Sequence, residues 1–320
     1  MQSKSAEQER RASFRQEWLR VVQIVFNIKW CGCRSAAVNA AAIVMNPHFA
    51  PATSPVSLVQ SLWTNRRLIA QLVRRDVIGR YRGSLLGLGW SFFNPMFMLA
   101  IYTFVFSVVF KARWGVGEEE GKTAFAVVLF VGLICHSLFA EVVNRAPTLI
   151  QHNANYVKKV VFPLEILPVV VMGSTLFHSF VSLLVLLLAF VLLNGFIYST
   201  VLLAPLVFLP LVLVALGFSW FLASLGTYLR DVGHTVGIFT TVLLFLSPVF
   251  YPLSALPQKY HLALMLNPLT YIIEQARRVL ILGQAPDWIG LGLYTLVAFG
   301  IAWAGYWWFQ KTRRGFADVL

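Results

Sequence analysis

Six runs of about twenty apolar residues follow one another from Trp90 to Phe309, and no soluble fold can hide that much apolar chain in one core. They are Trp90–Phe110, Thr123–Phe139, Leu167–Leu193, Val201–Leu229, His234–Leu253 and Trp288–Phe309. Lipid offers the backbone no hydrogen-bond partners, so runs rich in Leu, Val and Phe must satisfy their peptide groups internally, as α-helices. Membrane strands would be about ten residues long and would alternate apolar with polar side chains. Composition agrees, with 58% hydrophobic and 12% charged residues against about 45–50% and about 25% in soluble domains. The expected fold is an all-α integral membrane protein with about six transmembrane helices.

A net charge of +13 raises nucleic acid as a partner until the charges are placed. Twenty of the 26 Lys and Arg fall on one side of the spans: those before Trp90, then Arg145, Lys158, Lys159, Arg230, Lys311, Arg313 and Arg314. Basic residues gather on the cytoplasmic side, so both termini are expected there, and no nucleic-acid partner is expected. The opposite side holds Lys111, Arg113, Lys122, Lys259, Arg277 and Arg278, with Glu118–Glu120 offsetting three of them.

The organisation expected is an N-terminal extension and Pro-rich connector (1–57), an amphipathic helix segment (58–85), a transmembrane domain (86–310) and a cytoplasmic tail (311–320). The start is charged and lacks a small-residue cleavage site after an apolar stretch, so no signal peptide is expected. Pro47, Pro51 and Pro55 predict irregular chain. Over Leu58–Tyr81, an apolar stripe (Leu62, Leu68, Ile69, Leu72, Val73, Val77) opposes a basic face that includes Arg66, Arg67, Arg74, Arg75 and Arg80. Such a helix lies at the membrane interface with its basic face toward anionic headgroups; a soluble helix packed on a partner is the alternative.

Enzyme chemistry finds little support. Gly121-Lys122-Thr123 resembles the end of a phosphate loop, but the glycine required five positions earlier is Val116, and three glutamates precede it. The six histidines are scattered without a His-Glu-x-x-His pattern, and Cys31 and Cys33 have no second pair, so no metal or cofactor is expected in this chain. Glu141, Glu165, Asp231 and Asp287 lie near span ends. A proton-coupled carrier or intramembrane enzyme would place ionisable groups at mid-membrane depth, so energy is expected from outside the chain.

Residues 254–287 break the pattern, being too long for a turn and too apolar for a solvated loop. Tyr260–Leu266 and Leu269–Leu282, split by Asn267-Pro268, are each shorter than a crossing. Outer interfacial or re-entrant helices between spans five and six fit this pattern; an amphipathic surface hairpin is the alternative. Glu274 has the spacing to pair with Arg277 or Arg278.

Five stretches resemble one family in order. They are Arg75-Asp76-Val77-Ile78-Gly79-Arg80-Tyr81-Arg82-Gly83-Ser84-Leu85-Leu86-Gly87 with Trp90 and Pro95; Asn155–Pro163; Tyr228–Asp231; Ser247–Pro252; and Leu266–Leu269. The chain is similar over about residues 58–315 to ABC-2 type permeases of polysaccharide export. The resemblance is to the membrane subunit of O-antigen exporters (Wzm type), with teichoic-acid and capsule exporters close behind. Residues Met1–Asn46 have no counterpart and are expected to be accessory or a misassigned start.

The resemblance implies a permease of the bacterial inner membrane that exports polysaccharide, undecaprenyl-linked, across the lipid. Two copies would pair with two separate ATPase subunits, which bind the ATP and Mg. It assigns an ATPase-coupling role to Asn155, Tyr156, Val157, Lys158 and Lys159 within Gln151–Phe162. The interfacial helix would carry Arg74, Arg75, Arg80 and Tyr81. A sliding glycan needs many weak ring contacts, so the aromatic first span, with Trp90, Phe93, Tyr102 and Phe106, is the expected translocation path. Those rings facing lipid is the alternative. Export of a drug or lipid, or a membrane glycosyltransferase, are the rival functions.

Overall fold

Helices supply all the regular structure in the computed structural model, which describes residues 53–109, 122–158, 162–253, 257, 259, 264–265 and 267–320. The expectations for residues 1–52, including Cys31 and Cys33, for Lys111, Arg113, Glu118–Glu120 and Gly121, for Lys159 and for most of the run Tyr260–Leu266 concern positions outside these. In chain order the helices are α1 (Pro55–Thr64), α2 (Arg66–Arg80), α3 (Trp90–Tyr102), α4 (Lys122–Arg145), α5 (Leu149–His152), α6 (Ala154–Lys158), α7 (Ile166–Asn194), α8 (Ala204–Tyr228), α9 (Val232–Leu246), α10 (Thr270–Leu280), α11 (Trp288–Thr312) and α12 (Phe316–Val319). A π-helical stretch, Thr103–Val109, extends α3.

Among the described residues, five segments are long and apolar enough to cross a membrane: Gly87–Phe106, Phe125–Arg145, Ile166–Asn194, Ser199–Tyr228 and Trp288–Gly315. The run expected as span five contributes α9, which has 15 residues. At 1.5 Å per residue it reaches about 22 Å, short of the ~30 Å hydrocarbon core. Pro248 stops it, because the residue before a proline is pushed out of helical geometry, and Ser247 has ψ 151°. The chain after Ser247 is tolerated without helix because protein covers it. Val249 is fully buried, and Asn267 Nδ2 donates to Ser247 Oγ at 2.9 Å.

The helix α10 lies across this break. Its apolar face (Ile272, Ile273, Ala276, Val279, Leu280) is buried, and so is Arg277. The expected Glu274–Arg277 pair forms at 3.1 Å, yet its guanidinium points into protein rather than staying at the surface. Nε donates to the Val128 carbonyl and Nη2 to the Val249 carbonyl, each at 3.2 Å. One side chain therefore ties α10, α4 and the non-helical segment together.

Around these, α4 is the hub: Leu129, Val131, Cys135, Phe139 and Val142 are wholly covered, whereas α3 leaves most of its surface open. Beside α4, α8 and α11 cross at glycines. A Cβ at Gly305 would stand 2.1 Å from the Gly217 carbonyl oxygen, so the backbones meet directly. Near the crossing, buried Trp220 donates its indole N–H to the Glu165 carbonyl at 3.0 Å and packs edge-on against Tyr306.

With 29 residues, α7 is about 43 Å long and exceeds one crossing. Arg145, at the end of α4, meets Ser174, so the first two turns of α7 extend past α4. The amphipathic segment packs there. It forms two helices rather than the one expected over Leu58–Tyr81, with a break at Asn65, whose backbone and side-chain N–H groups both donate to the Ser61 carbonyl. Pro55 opens α1 at its first position instead of extending the irregular connector, and Ser54 caps it. Leu72 and Val77 are buried, the stripe covers Ile166 and Val170, and Arg66, Arg67, Arg74 and Arg75 face outward.

Candidate functional site

Two places concentrate polar chemistry: the short helices after α4, and a cleft between α3, α4 and α7.

At the first, α5 is fastened beneath α8, where Gln151 Nε2 donates to the Gly226 carbonyl at 2.7 Å. A Cβ at Gly226 would lie 2.2 Å from the Pro147 carbonyl oxygen, so only glycine permits this approach. In α6, Asn155 is exposed and Tyr156 and Val157 are half-buried. The Tyr156 ring lies parallel to Phe162 at 4.4 Å between centroids, and its hydroxyl accepts from Arg75 Nη1 at 3.2 Å. Much of the tyrosine is thus engaged within its own chain. Arg313, after α11, bonds the Phe162 carbonyl and pairs with Glu165 at 2.8 Å, and Ser61 Oγ donates to the same carboxylate at 2.9 Å. The helix α1 and the chain after α11 therefore meet at Glu165.

The cleft encloses about 330 Å³. Ser91, Asn94, Pro95, Met98 and Tyr102 line it from α3; Phe130, Leu133, Ile134, Ser137 and Glu141 from α4; His178, Ser179 and Ser182 from α7. From Glu141 to Phe130 it follows α4 for about 16 Å, half the thickness of a membrane. Above a charged base, its wall mixes hydroxyl and amide side chains with the apolar Pro95, Met98, Phe130, Leu133 and Ile134. There Arg80 is hydrogen-bonded to Glu141, and Arg145 Nη1 lies 3.7 Å from the same Glu141 oxygen. Arg145 grips Asp76 with both nitrogens, at 2.8 and 3.0 Å, and Tyr81 Oη is 3.5 Å from His178 Nδ1. Burial would push the Asp76 carboxyl up, but hydrogen bonds from Arg145 and Ser174 and the nearby Arg145 and Arg80 charges outweigh it and hold it below its ordinary 3.8. The Asp76–Arg145 tie is therefore complete at neutral pH and weakens only as pH falls below that value.

Of the expected path residues, Tyr102 lies on the cleft wall. Trp90 and Phe93 lie on the exposed face of α3, with Phe97 and Ile101. Phe106 is turned inward, 5.5 Å from Phe125 and 6.0 Å from Phe250. Among the expected interfacial residues, Arg80 and Tyr81 reach the cleft, Arg75 reaches Tyr156, and Arg74 is exposed. Sequence reasoning missed Asn94, Ser137, Ser179 and Ser182. The available signal was polar side chains recurring at helical spacing inside apolar runs.

Comparison with known proteins agrees with this architecture. The chain is 29% identical over 272 residues to an O-antigen export system permease protein, RfbA, of Myxococcus xanthus, covering 83% of this chain and 100% of that protein. It is 25% identical over 262 residues to an O-antigen export system permease protein, RfbA, of Klebsiella pneumoniae, covering 79% and 95%. It is 24% identical over 244 residues to the polysialic acid transport protein KpsM of Escherichia coli, covering 74% and 92%. Residues 67–281, from the start of α2 to just past α10, match the ABC-2 type transporter family, and with a bundle of apolar helices around a polar cleft, the chain belongs to it.

Proposed function

We propose that this chain is the membrane-spanning permease of an ABC exporter that moves polysaccharide, carried on an undecaprenyl-type lipid, across the bacterial inner membrane. Two copies, embedded in membrane lipid, pair with two ATPase subunits that hold the ATP and Mg, and this chain has no ATPase site of its own. The observation that carries the reading is the intramembrane cleft that sets serine, asparagine and tyrosine side chains among apolar ones, in a chain whose relatives are named for O-antigen and polysialic acid export. Neutral hydroxyl and amide groups suit the hydroxyl edges of sugars and are poorly matched to an apolar drug or lipid tail.

In this reading the basic end is cytoplasmic. Asn155, Tyr156, Val157, Lys158 and Lys159 present the coupling surface to the ATPase. The open apolar faces of α3, with Trp90 and Phe93, and α9, with Ile238, Val242 and Phe245, meet the second copy. Tyr102 carries the path within each copy, and Phe106 supports its wall.

The decisive experiment reconstitutes the permease with its ATPase subunit in proteoliposomes and follows lipid-linked polysaccharide across the bilayer. Transport should require both subunits and ATP; transport of a drug-like or phospholipid cargo in place of the glycan would refute the assignment. Tyr102→Ala is expected to lower export about fivefold, the equivalent of one hydrogen bond of about 1 kcal/mol, with normal complex yield. A fall in yield alone would make Tyr102 a packing residue. A single cysteine at position 156 is expected to react from the cytoplasmic side and to crosslink to the ATPase. Labelling from the periplasm would invert the topology and remove the coupling role.

A further inference from the structure

The two polar places are joined by one helix. Arg75 and Arg80 lie five residues apart on α2; the first holds the Tyr156 hydroxyl at 3.2 Å and the second holds Glu141 at the base of the cleft. Between them, Asp76 is gripped by Arg145, and two residues before Arg75, Val73 bears on α7 so closely that a Cβ at Gly173 would be 2.7 Å from its methyl group. The helix thus has a contact at the coupling segment, a bearing point on α7 and a contact at the cleft.

These contacts are poorly placed to serve as simple glue. Arg75 is exposed, and solvent-exposed polar pairs contribute little to stability. Arg80 and Glu141 are both partly open to the cleft. Glu141 also has a second cation in reach, Arg145 at 3.7 Å. If Arg80 withdraws, Glu141 keeps a counter-charge, so the exchange strands no carboxylate. A contact that can break without leaving a buried charge unpaired has the two accessible arrangements a switch needs. The other charged and titratable groups at this base, Asp76, Tyr81 and His178, move with α2 or line the same floor.

We propose that α2 carries the movement of the coupling segment to the cleft: Arg75 follows Tyr156, and Arg80 opens or closes the base of the cleft by leaving or meeting Glu141. This rests on the permease reading above and adds how that site is controlled. Arg75 and Arg80 are positioning residues in it, and neither needs to touch cargo.

The test uses the whole permease–ATPase complex in lipid nanodiscs, with native cysteines replaced and Asn94→Cys on the cleft wall. A membrane-impermeant, charged methanethiosulfonate reports access, compared between nucleotide-free and ATP–vanadate-trapped complex. The parent should change its labelling rate about tenfold on trapping, as a shift between two states of a cleft requires. Arg75→Ala should abolish that change. So should Tyr156→Phe, which keeps the ring on Phe162 and removes only the acceptor. Arg80→Glu should label fast in both states, and adding Glu141→Arg should restore nucleotide dependence. Should Arg80→Glu fail to assemble, Arg80→Gln is expected to give the same fast, nucleotide-independent labelling. The proposal is overturned if Arg75→Ala and Tyr156→Phe respond like the parent, if Arg80→Gln keeps the dependence, or if the assembled double swap does not restore it. An unresponsive parent in complexes that still export glycan also sinks it while leaving the permease reading intact. A responsive cleft in complexes that move no glycan would count against the permease reading alone.

Discussion

Gly305→Leu is expected to prevent α8 and α11 from seating and to remove most folded permease from a detergent extract. The obstacle is backbone: a side chain at 305 meets the carbonyl of Gly217, 2.1 Å from its Cβ, and a Cβ at Gly217 meets the Ile301 carbonyl at 2.6 Å. No rotamer change relieves a clash with a main-chain oxygen, so the helices must separate. Overpacking a core costs about 1–3 kcal/mol even when side chains can move, so a backbone obstruction should sit at or above that range. Separation would also strand the Trp220–Tyr306 packing and the Ser224–Thr312 hydrogen bond of 2.6 Å. Gly300→Leu on the same helix is the control, since nothing lies within 4 Å of a Cβ there. Thermal size-exclusion profiles separate the two variants. A Gly305→Leu protein that melts within about 2 °C of the parent would show that the helices do not meet at this point.

Arg277→Met should release α10 and the segment after Ser247 from α4. The substitution keeps most of the side-chain volume but removes the donors to the Val249 and Val128 carbonyls. Leaving a buried carbonyl unpaired costs about 1–3 kcal/mol, in a segment that has no helix of its own to fall back on. Burial pulls the Arg277 guanidinium down to about 10, so it remains charged and fully donating at neutral pH. Arg278→Met removes an equal charge from the half-buried neighbouring position and should change little. Hydrogen exchange over residues 245–280 reads the difference. Equal protection in both variants would mean that net charge at this end, and not the buried donors, holds the segment.

Several elements were legible because their signals are local. Twenty-residue apolar runs demand helix in lipid whatever surrounds them, and the stripe over Leu58–Tyr81 announces a helix with one covered face. Asn267-Pro268 marks chain that cannot cross as a single helix. The five ordered stretches brought the family within reach, because backbone breaks such as Ser247-Pro248 are written in residue types. Even here local rules misjudged detail: Pro55 starts a helix, Asn65 divides one, and α9 ends before a full crossing.

The arrangement of the spans was not legible, and the reason is physical. In water an exposed face must be polar, so a sequence shows which side of a helix is inside. In lipid both faces are apolar, and Leu or Phe serves equally against a neighbour or an acyl chain. Hydropathy therefore marks both α3 and α4 as spans without saying that α4 is the covered hub and that α3 leaves most of its surface open. It cannot say that Phe106 turns inward while Phe93 stays out, or that Tyr102 borders a cleft. The contacts that define the site join residues far apart in the chain: Arg80 with Glu141, Asp76 with Arg145, Arg75 with Tyr156. The sequence by itself determined that this protein is helical, membrane-embedded and basic at one end. Only tertiary packing decided which polar side chains converge, because convergence depends on how each helix is rotated about its axis, and an apolar helix in an apolar solvent carries almost no record of that angle.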